Sequence, residues 1–394
     1  MSEFGSALRT ARARRGLSLS ELGRATTYDR SAVANIEAGR RTPDRRFAED
    51  ADTYLDAAGE VVAAWDRDTA ERDARLEQRR LERLANAESL ALAADTADVD
   101  GIGEQAASLA VAYLAETPSV MLREAATARH AALALLSRGG LSAESYADLL
   151  LATGRMSGVL AYAALDLGQP DQALQHTEAA WRCAVLAGDD ELRAWVRGTQ
   201  SLITRFTEDF PRALAYAIDG QQYVHGGPAL ARLLCGQAQT MAGLGASASV
   251  AAVLNDAERA REVPGPDGAG IFAFRETKQR YYAGSSLVFG EESKEWHLAE
   301  REAVAAVLDW ETGPVVDRSL SDEALCRVYA ATARVQLGEL EGTRDALAPI
   351  LDLPEDRRIS WIKKRMGRIV TILDEPPYNG SPQAKNLRAE LSAY

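Results

Sequence analysis

Aromatic side chains are scarce in this 394-residue chain, at 6%. A β-sandwich or barrel draws on aromatic and β-branched residues, so the shortage, with Ala abundant throughout, favours helices. No run of about 18 apolar residues occurs, so no membrane-spanning helix is expected. Met1 to Phe4 is not a basic segment leading into an apolar stretch, so no export signal is expected either. Cysteine is limited to Cys183, Cys235 and Cys326, far apart and without a CxxC pair, which argues against a zinc ribbon or a dithiol site. The four histidines, His130, His176, His225 and His297, form no HExxH and no i,i+4 pair with a carboxylate. A GxxxxGK[ST] phosphate loop and a GxSxG nucleophile turn are missing too. The Gly-rich stretch from Gly265 to Gly270 has no strand before it and reads as a loop. These absences predict a protein that is not an enzyme and has no cofactor, metal or membrane contact. Free thiols without an export signal point to the cytoplasm.

What remains is ordinary in bulk and uneven in detail. Apolar residues make up 46% and charged residues 26%, a globular mix rather than a disordered one. At roughly 150 residues per domain, the length allows two or three domains. The net charge is −13, yet residues 1–48 contain ten arginines against five acids, or +5, which leaves −18 for the rest. A small basic module on an acidic body is the layout of a nucleic-acid binder, because the acidic part repels phosphates and only the basic end docks.

The basic segment reads as short helices. Leu8 and Ala11 give residues 4–15 one apolar side, and Gly16 is a C-cap. Ser18 and Glu21 have capping-box spacing, with Leu19 and Leu22 on the buried side of the helix that follows. Asp29 is an N-cap for a helix over 30–38 with Val33 and Ile36 inward, closed by Gly39 and stopped by Pro43. Two short helices joined by a turn of three to four residues fit the major groove.

The stretches GLSLSEL (16–22) and DRSAVANIEAGRRTP (29–43) closely resemble the Cro/repressor (XRE) helix-turn-helix, over residues 4–58 and without insertions. By that resemblance Arg30, Ser31 and Asn35 read base edges. Their side-chain chemistry is suited to that role, since Arg pairs with guanine, Asn with adenine and Ser with either. Arg40, Arg41, Thr27 and Arg12 are then phosphate contacts, and Glu37 is an inward structural residue. Leu19 stands where the family usually has a DNA-contacting Gln, so that contact is expected to be missing. Thr27 replaces the usual turn Gly.

The chain is thus expected to be all-α: a helix-turn-helix bundle over 1–60, a charged linker helix over 61–100, helical repeats over 101–375 and a tail over 376–394 that leaves the repeats. Residues 66–83 hold six acids and six arginines, with Asp68–Arg72 and Glu71–Arg75 at supportive i,i+4 spacing. From 86 to 375, Ala/Leu-rich stretches alternate with short turns, at Leu167-Gly168, Leu244-Gly245 and Leu337-Gly338, and more weakly at Asp209-Phe210 and Phe289-Gly290. This resembles an α-solenoid of degenerate tetratricopeptide-like helix pairs, whose small residues let helices approach closely.

A solenoid's concave face is lined by the first helix of each pair. Counted from the Gly turns, Arg155, Tyr162, Trp195, Arg205, Arg232 and Gln239 face inward. They either hold an extended peptide or form core, with the arginines paired to acids such as Asp166. A helix-turn-helix head on such a body resembles the peptide-sensing, quorum-sensing regulators of the Rgg and PlcR kind. The resemblance implies a transcription regulator that binds an inverted-repeat double-stranded DNA operator as a homodimer, with a signalling peptide or small molecule in the repeats. The alternative is a regulator whose repeats bind a protein partner, scaffold or antitoxin-like, without a small ligand.

Overall fold

The computed structural model describes residues 2–26, 28–92 and 99–392, apart from the side chains at 76, 82 and 84–92. Thr27 therefore lies outside the described residues. Among them the chain is all-α, with nineteen α-helices, three 3-10 turns and no strand. It divides into two compact units, Met1–Ala85 and Asn86–Tyr394.

The first unit holds α1 (Glu3–Arg14), α2 (Leu19–Ala25), α3 (Arg30–Glu37), α4 (Arg45–Leu55) and most of α5 (Glu60–Leu92). Its helices start where short polar side chains reach back to orphan amides. Ser18 and Glu21 close a capping box on α2, Asp29 accepts from the Ala32 N–H at α3, and Asp44 accepts from the Phe47 N–H at α4. Leu8, Leu22, Val33, Ile36 and Phe47 are fully buried between them. Gly23 is required by packing, since a Cβ there would lie 2.4 Å from the Tyr28 carbonyl oxygen.

The segment expected to begin a linker at residue 61 begins instead as a fifth helix of this bundle. Val61 and Ala64 of α5 are buried in the same core. Asp52 accepts from the N–H groups of Gly59, Val61 and Val62, which caps the start of α5. Asp68 does not act mainly as an i,i+4 partner: its carboxylate accepts from the Glu3 and Phe4 N–H groups and caps α1. Farther along, Arg75–Glu71 at 2.5 Å and Arg80–Glu77 at 3.1 Å are surface pairs of the kind the sequence suggests.

The second unit opens with α6 (Val99–Ala112) and α7 (Pro118–Arg138) and continues as antiparallel pairs. These are α8 (Ala143–Asp166) with α9 (Pro170–Ala187), α10 (Asp190–Phe206) with α11 (Phe210–Gln221), and α12 (Gly227–Gly243) with α13 (Ser247–Glu262). Then come α14 (Glu276–Leu287) with α15 (Ser293–Thr312), α16 (Leu320–Gln336) with α17 (Leu340–Leu351), and α18 (Ser360–Asp374) with α19 (Pro382–Ser392). The first helices of successive pairs pack side by side. Gly168, Gly245 and Gly338 make the turn inside three pairs at φ of 76°, 77° and 90°, which an L side chain rarely adopts. Close packing inside the row also depends on Gly158, where a Cβ would lie 2.7 Å from the Trp195 ring.

The row returns on itself. The Ser360 hydroxyl donates to the Leu165 carbonyl at 2.7 Å, and Lys364 Nζ donates to the Phe206 carbonyl at 2.6 Å. Trp361 packs edge-on to Phe206, with centroids 4.9 Å apart. Arg357 donates to the Ala115 carbonyl, just beyond α6. The C-terminal helices thus reach back to the early ones and narrow the concave face to a partly enclosed chamber. The tail expected to leave the repeats does not: Ala384, Leu387 and Leu391 of α19 are buried in the same core.

Gly158→Ala is expected to overpack the contact with Trp195 and cost about 2 kcal/mol of stability, read as a lower denaturant midpoint at unchanged cooperativity. An unchanged midpoint would show that the ring has room to move.

Candidate functional site

On the first unit, the outer face of α3 and the helix ends beside it carry the residues expected to read DNA. Arg30 and Ser31 are exposed, and Asn35 is half-buried one turn further on. Arg30 makes no ion pair among the described residues. The Ser31 hydroxyl donates to Asp29 Oδ1 at 2.7 Å, so its donor is engaged. That bond, followed by the Ala32 N–H, holds the Asp29 carboxyl below its usual range. Arg40, exposed, donates to Asn35 Oδ1 at 3.1 Å, so a guanidinium and an amide stand side by side. Arg41 lies 5.0 Å over the Tyr28 ring.

Arg12 corrects the sequence reading. It does not face a phosphate path: its Nε and Nη2 donate to both oxygens of Glu37 at 2.6 and 2.7 Å, and Nη1 donates to the Leu17 carbonyl. The hydrogen bond it donates to Glu37 holds the guanidinium above its ordinary value. Its charge is spent on tying α1 to α3.

The other arginines divide by partner. Arg14 pairs with Glu60, Arg15 with Asp56, Arg45 with Glu49 and Asp66, and Arg46 with Asp50. Arg9, Arg24, Arg30 and Arg40 are exposed and have no carboxylate partner among the described residues. Arg24, in the last turn of α2, was not singled out by sequence. Its only signal there was its place just before the turn.

In the second unit, all six first helices contribute to the chamber. Tyr162 of α8, Arg205 of α10, Gln239 of α12, Tyr282 of α14, Tyr329 of α16 and Arg365 of α18 line it, and part of it is open to solvent. Arg155, Trp195 and Arg232 line a smaller cleft beside it. The structure thus brings the six inward-facing candidates to two adjoining cavities. Arg232 bridges them, donating to the Trp195 carbonyl at 2.8 Å, Thr199 Oγ1 at 2.9 Å and the Tyr162 hydroxyl at 3.3 Å. Tyr162 stacks on Trp195 at 5.6 Å. Trp195 and Arg232 are buried with these bonds satisfied, so they shape the wall. Gln239 donates to Ser285 Oγ.

One end of the chamber is a compact charge set. Lys278 pairs with Asp322 at 3.1 Å, and the Tyr113 hydroxyl donates to Asp166 at 2.5 Å. Burial, with Asp322 adding to it, pushes the Asp166 carboxyl up to about 7 against the opposing pull of the Tyr113 bond and Lys278. Burial alone would lower Lys278, but the Asp322 charge and the facing tyrosines carry it above its ordinary value. Among the described residues no cluster of His, Cys, Asp and Glu is arranged to hold a metal.

Residues 3–65 match the family model of a helix-turn-helix domain. This segment is a helix-turn-helix domain. Among solved structures the chain is similar to Bacillus thuringiensis PlcR in complex with the peptide PapR7 and DNA. That match is 13% identical, covers 66% of this chain and 95% of that one, and has a TM-score of 0.27, too low to establish a shared overall arrangement. No curated protein matches. The helix-turn-helix domain supports a DNA-binding regulator. Among the described residues no helix is long and apolar enough to cross a membrane.

Two outcomes separate structural from functional roles here. Arg12→Met leaves Glu37 buried and unpaired, so the helix-turn-helix domain should lose about 3 kcal/mol by chemical denaturation; a phosphate contact would weaken DNA binding at unchanged stability. Asp166 has a folded value above its unfolded one, so stability falls as pH rises toward about 7 and the loss is complete above it. Asp166→Asn keeps an acceptor for Tyr113 and removes that loss. It should raise the melting temperature at about pH 8 and do so less at about pH 5.

Proposed function

We propose that the chain is a sequence-specific transcription regulator of the XRE kind, acting in the cytoplasm as a homodimer on an inverted-repeat operator. In this reading the tetratricopeptide-like unit dimerises and holds a signal, a peptide or another small molecule. The observation that carries the DNA-binding half is the outer face of α3. Arg30, Ser31 and Asn35 stand together on it, flanked by Arg24 and Arg40, while the arginines elsewhere on the domain are largely engaged by carboxylates. Bidentate donors on a short helix, with uncommitted cations at its flanks, are what base readout and phosphate anchoring each need. The ligand half rests on the chamber. A partly enclosed space lined by polar and aromatic groups favours a small signal over the alternative of a protein scaffold, which would need a broad open face.

Fluorescence anisotropy on DNA from upstream of the protein's own gene, in a salt series, tests this. Arg30→Ala and Asn35→Ala should each cost about 1–3 kcal/mol and relax specificity at one base position. Arg24→Ala and Arg40→Ala should weaken all sequences evenly and lower the salt slope by about 1. Wild-type binding no tighter than to a scrambled duplex would sink the operator reading.

A further inference from the structure

The chamber's charges do not balance. Five ionisable acidic or basic side chains line it: Asp166, Asp322, Arg205, Lys278 and Arg365. Three cations stand against two carboxylates, in a chain whose total charge is −13. The carboxylates are at one end, committed to Lys278 and Tyr113. Arg205 and Arg365 are at the other, and neither has a carboxylate partner among the described residues.

Arg205 is 4% exposed. Nη1 donates to Ser201 Oγ at 3.1 Å and to the Gly236 carbonyl at 3.2 Å, both neutral groups. Burial lowers its guanidinium from the ordinary value, and the charge of Arg365 adds to that. Arg365 lies 4.8 Å over the Trp361 ring, and its Nε is buried without a hydrogen-bond partner. A buried cation held without a counter-charge costs stability unless a partner arrives. Buried Arg205 and half-buried Arg365, lining one cavity, make a fork for an oxyanion. The walls supply flat apolar surface from Tyr281, Tyr282, Tyr329 and Trp361.

The geometry points to the chamber as a binding site for a compact organic anion, its carboxylate or phosphate seated between Arg205 and Arg365 and its ring or apolar body against the tyrosines. This rests on the reading of the repeat unit as the ligand-holding part and narrows the ligand to one chemical class. Closure of the row by α18 argues against an extended peptide running through it. Neither arginine belongs to the helix-turn-helix domain, so the site and DNA binding can fail separately.

The test is calorimetric titration and thermal melting of the full chain with rings of one size and different charge: benzoate, phenyl phosphate, neutral benzamide and cationic benzylamine. At least one of the two anions should raise the melting temperature and bind roughly tenfold tighter than benzamide, with benzylamine weakest. Benzoate ahead of phenyl phosphate would mark a carboxylate ligand, the reverse order a phosphate one. Arg365→Met, which keeps the apolar stem and removes the charge, should erase the charge preference. Equal effects of all rings, no effect of either anion, or a preference that survives in Arg365→Met overturns the assignment. Operator binding measured on the same samples keeps the outcomes apart: lost anion preference with intact operator binding removes only this site, and the converse removes only the DNA reading.

Discussion

Closure of the repeat unit depends on donors from the C-terminal segment reaching the carboxyl ends of early helices. Carbonyls in the last turn of an α-helix have no partner within it. Here the Ser360 hydroxyl takes the Leu165 carbonyl at the end of α8, Lys364 takes the Phe206 carbonyl that ends α10, and Arg357 takes the Ala115 carbonyl beyond α6. Two of the three donors are cationic, which suits the negative end of a helix dipole. The turn between α10 and α11 shows what this demands. Where three other pairs turn on Gly, Glu208 takes a left-handed φ of 63° and pairs with Lys364 at 2.8 Å. A residue that is locally unfavourable there supplies an ion pair to the closure.

Closing the row puts polar side chains where an open solenoid would leave them wet. Most of them meet a partner, as Arg232 does with the Trp195 carbonyl and Thr199. Structure alone would be served as well by apolar residues of similar volume, and often better. The groups left without counter-charges are thus the informative ones, since natural proteins retain such costs mainly where function uses them.

Legibility in the sequence followed the range of each interaction. The helix-turn-helix domain was readable because its signals are local: Ser18 with Glu21, Asp29 at the start of α3, Gly39 after its end. The repeat turns were readable for the same reason at Leu167-Gly168, Leu244-Gly245 and Leu337-Gly338. Arg12 was misread because its partner, Glu37, lies 25 residues away, and one-dimensional spacing does not distinguish a guanidinium turned inward from one facing solvent. The linker boundary was misplaced for a similar reason. Charge density in 66–83 was plain, whereas the capping of α5 by Asp52 and of α1 by Asp68 spans up to 65 residues. Arg365 was invisible: it sits beyond the last recognisable Gly turn, and it reaches the chamber only through contacts that span 158 to 242 residues.

The position of the two uncompensated arginines bears on how the chamber could signal. Arg205 belongs to α10 and Arg365 to α18, the helices joined where the row closes through Lys364, Phe206 and Trp361. An anion held by both would add a bond across that seam, so it would favour the closed arrangement over any in which α18 stands away from α10. Linkage makes this reciprocal: whatever stabilises closure must tighten the anion by the same factor, and whatever opens it must weaken the anion equally. A ligand held by one helix alone would fill the space without biasing the seam. The division of charge between α10 and α18 is therefore what would convert occupancy of a cavity into a change in the stability of the ring.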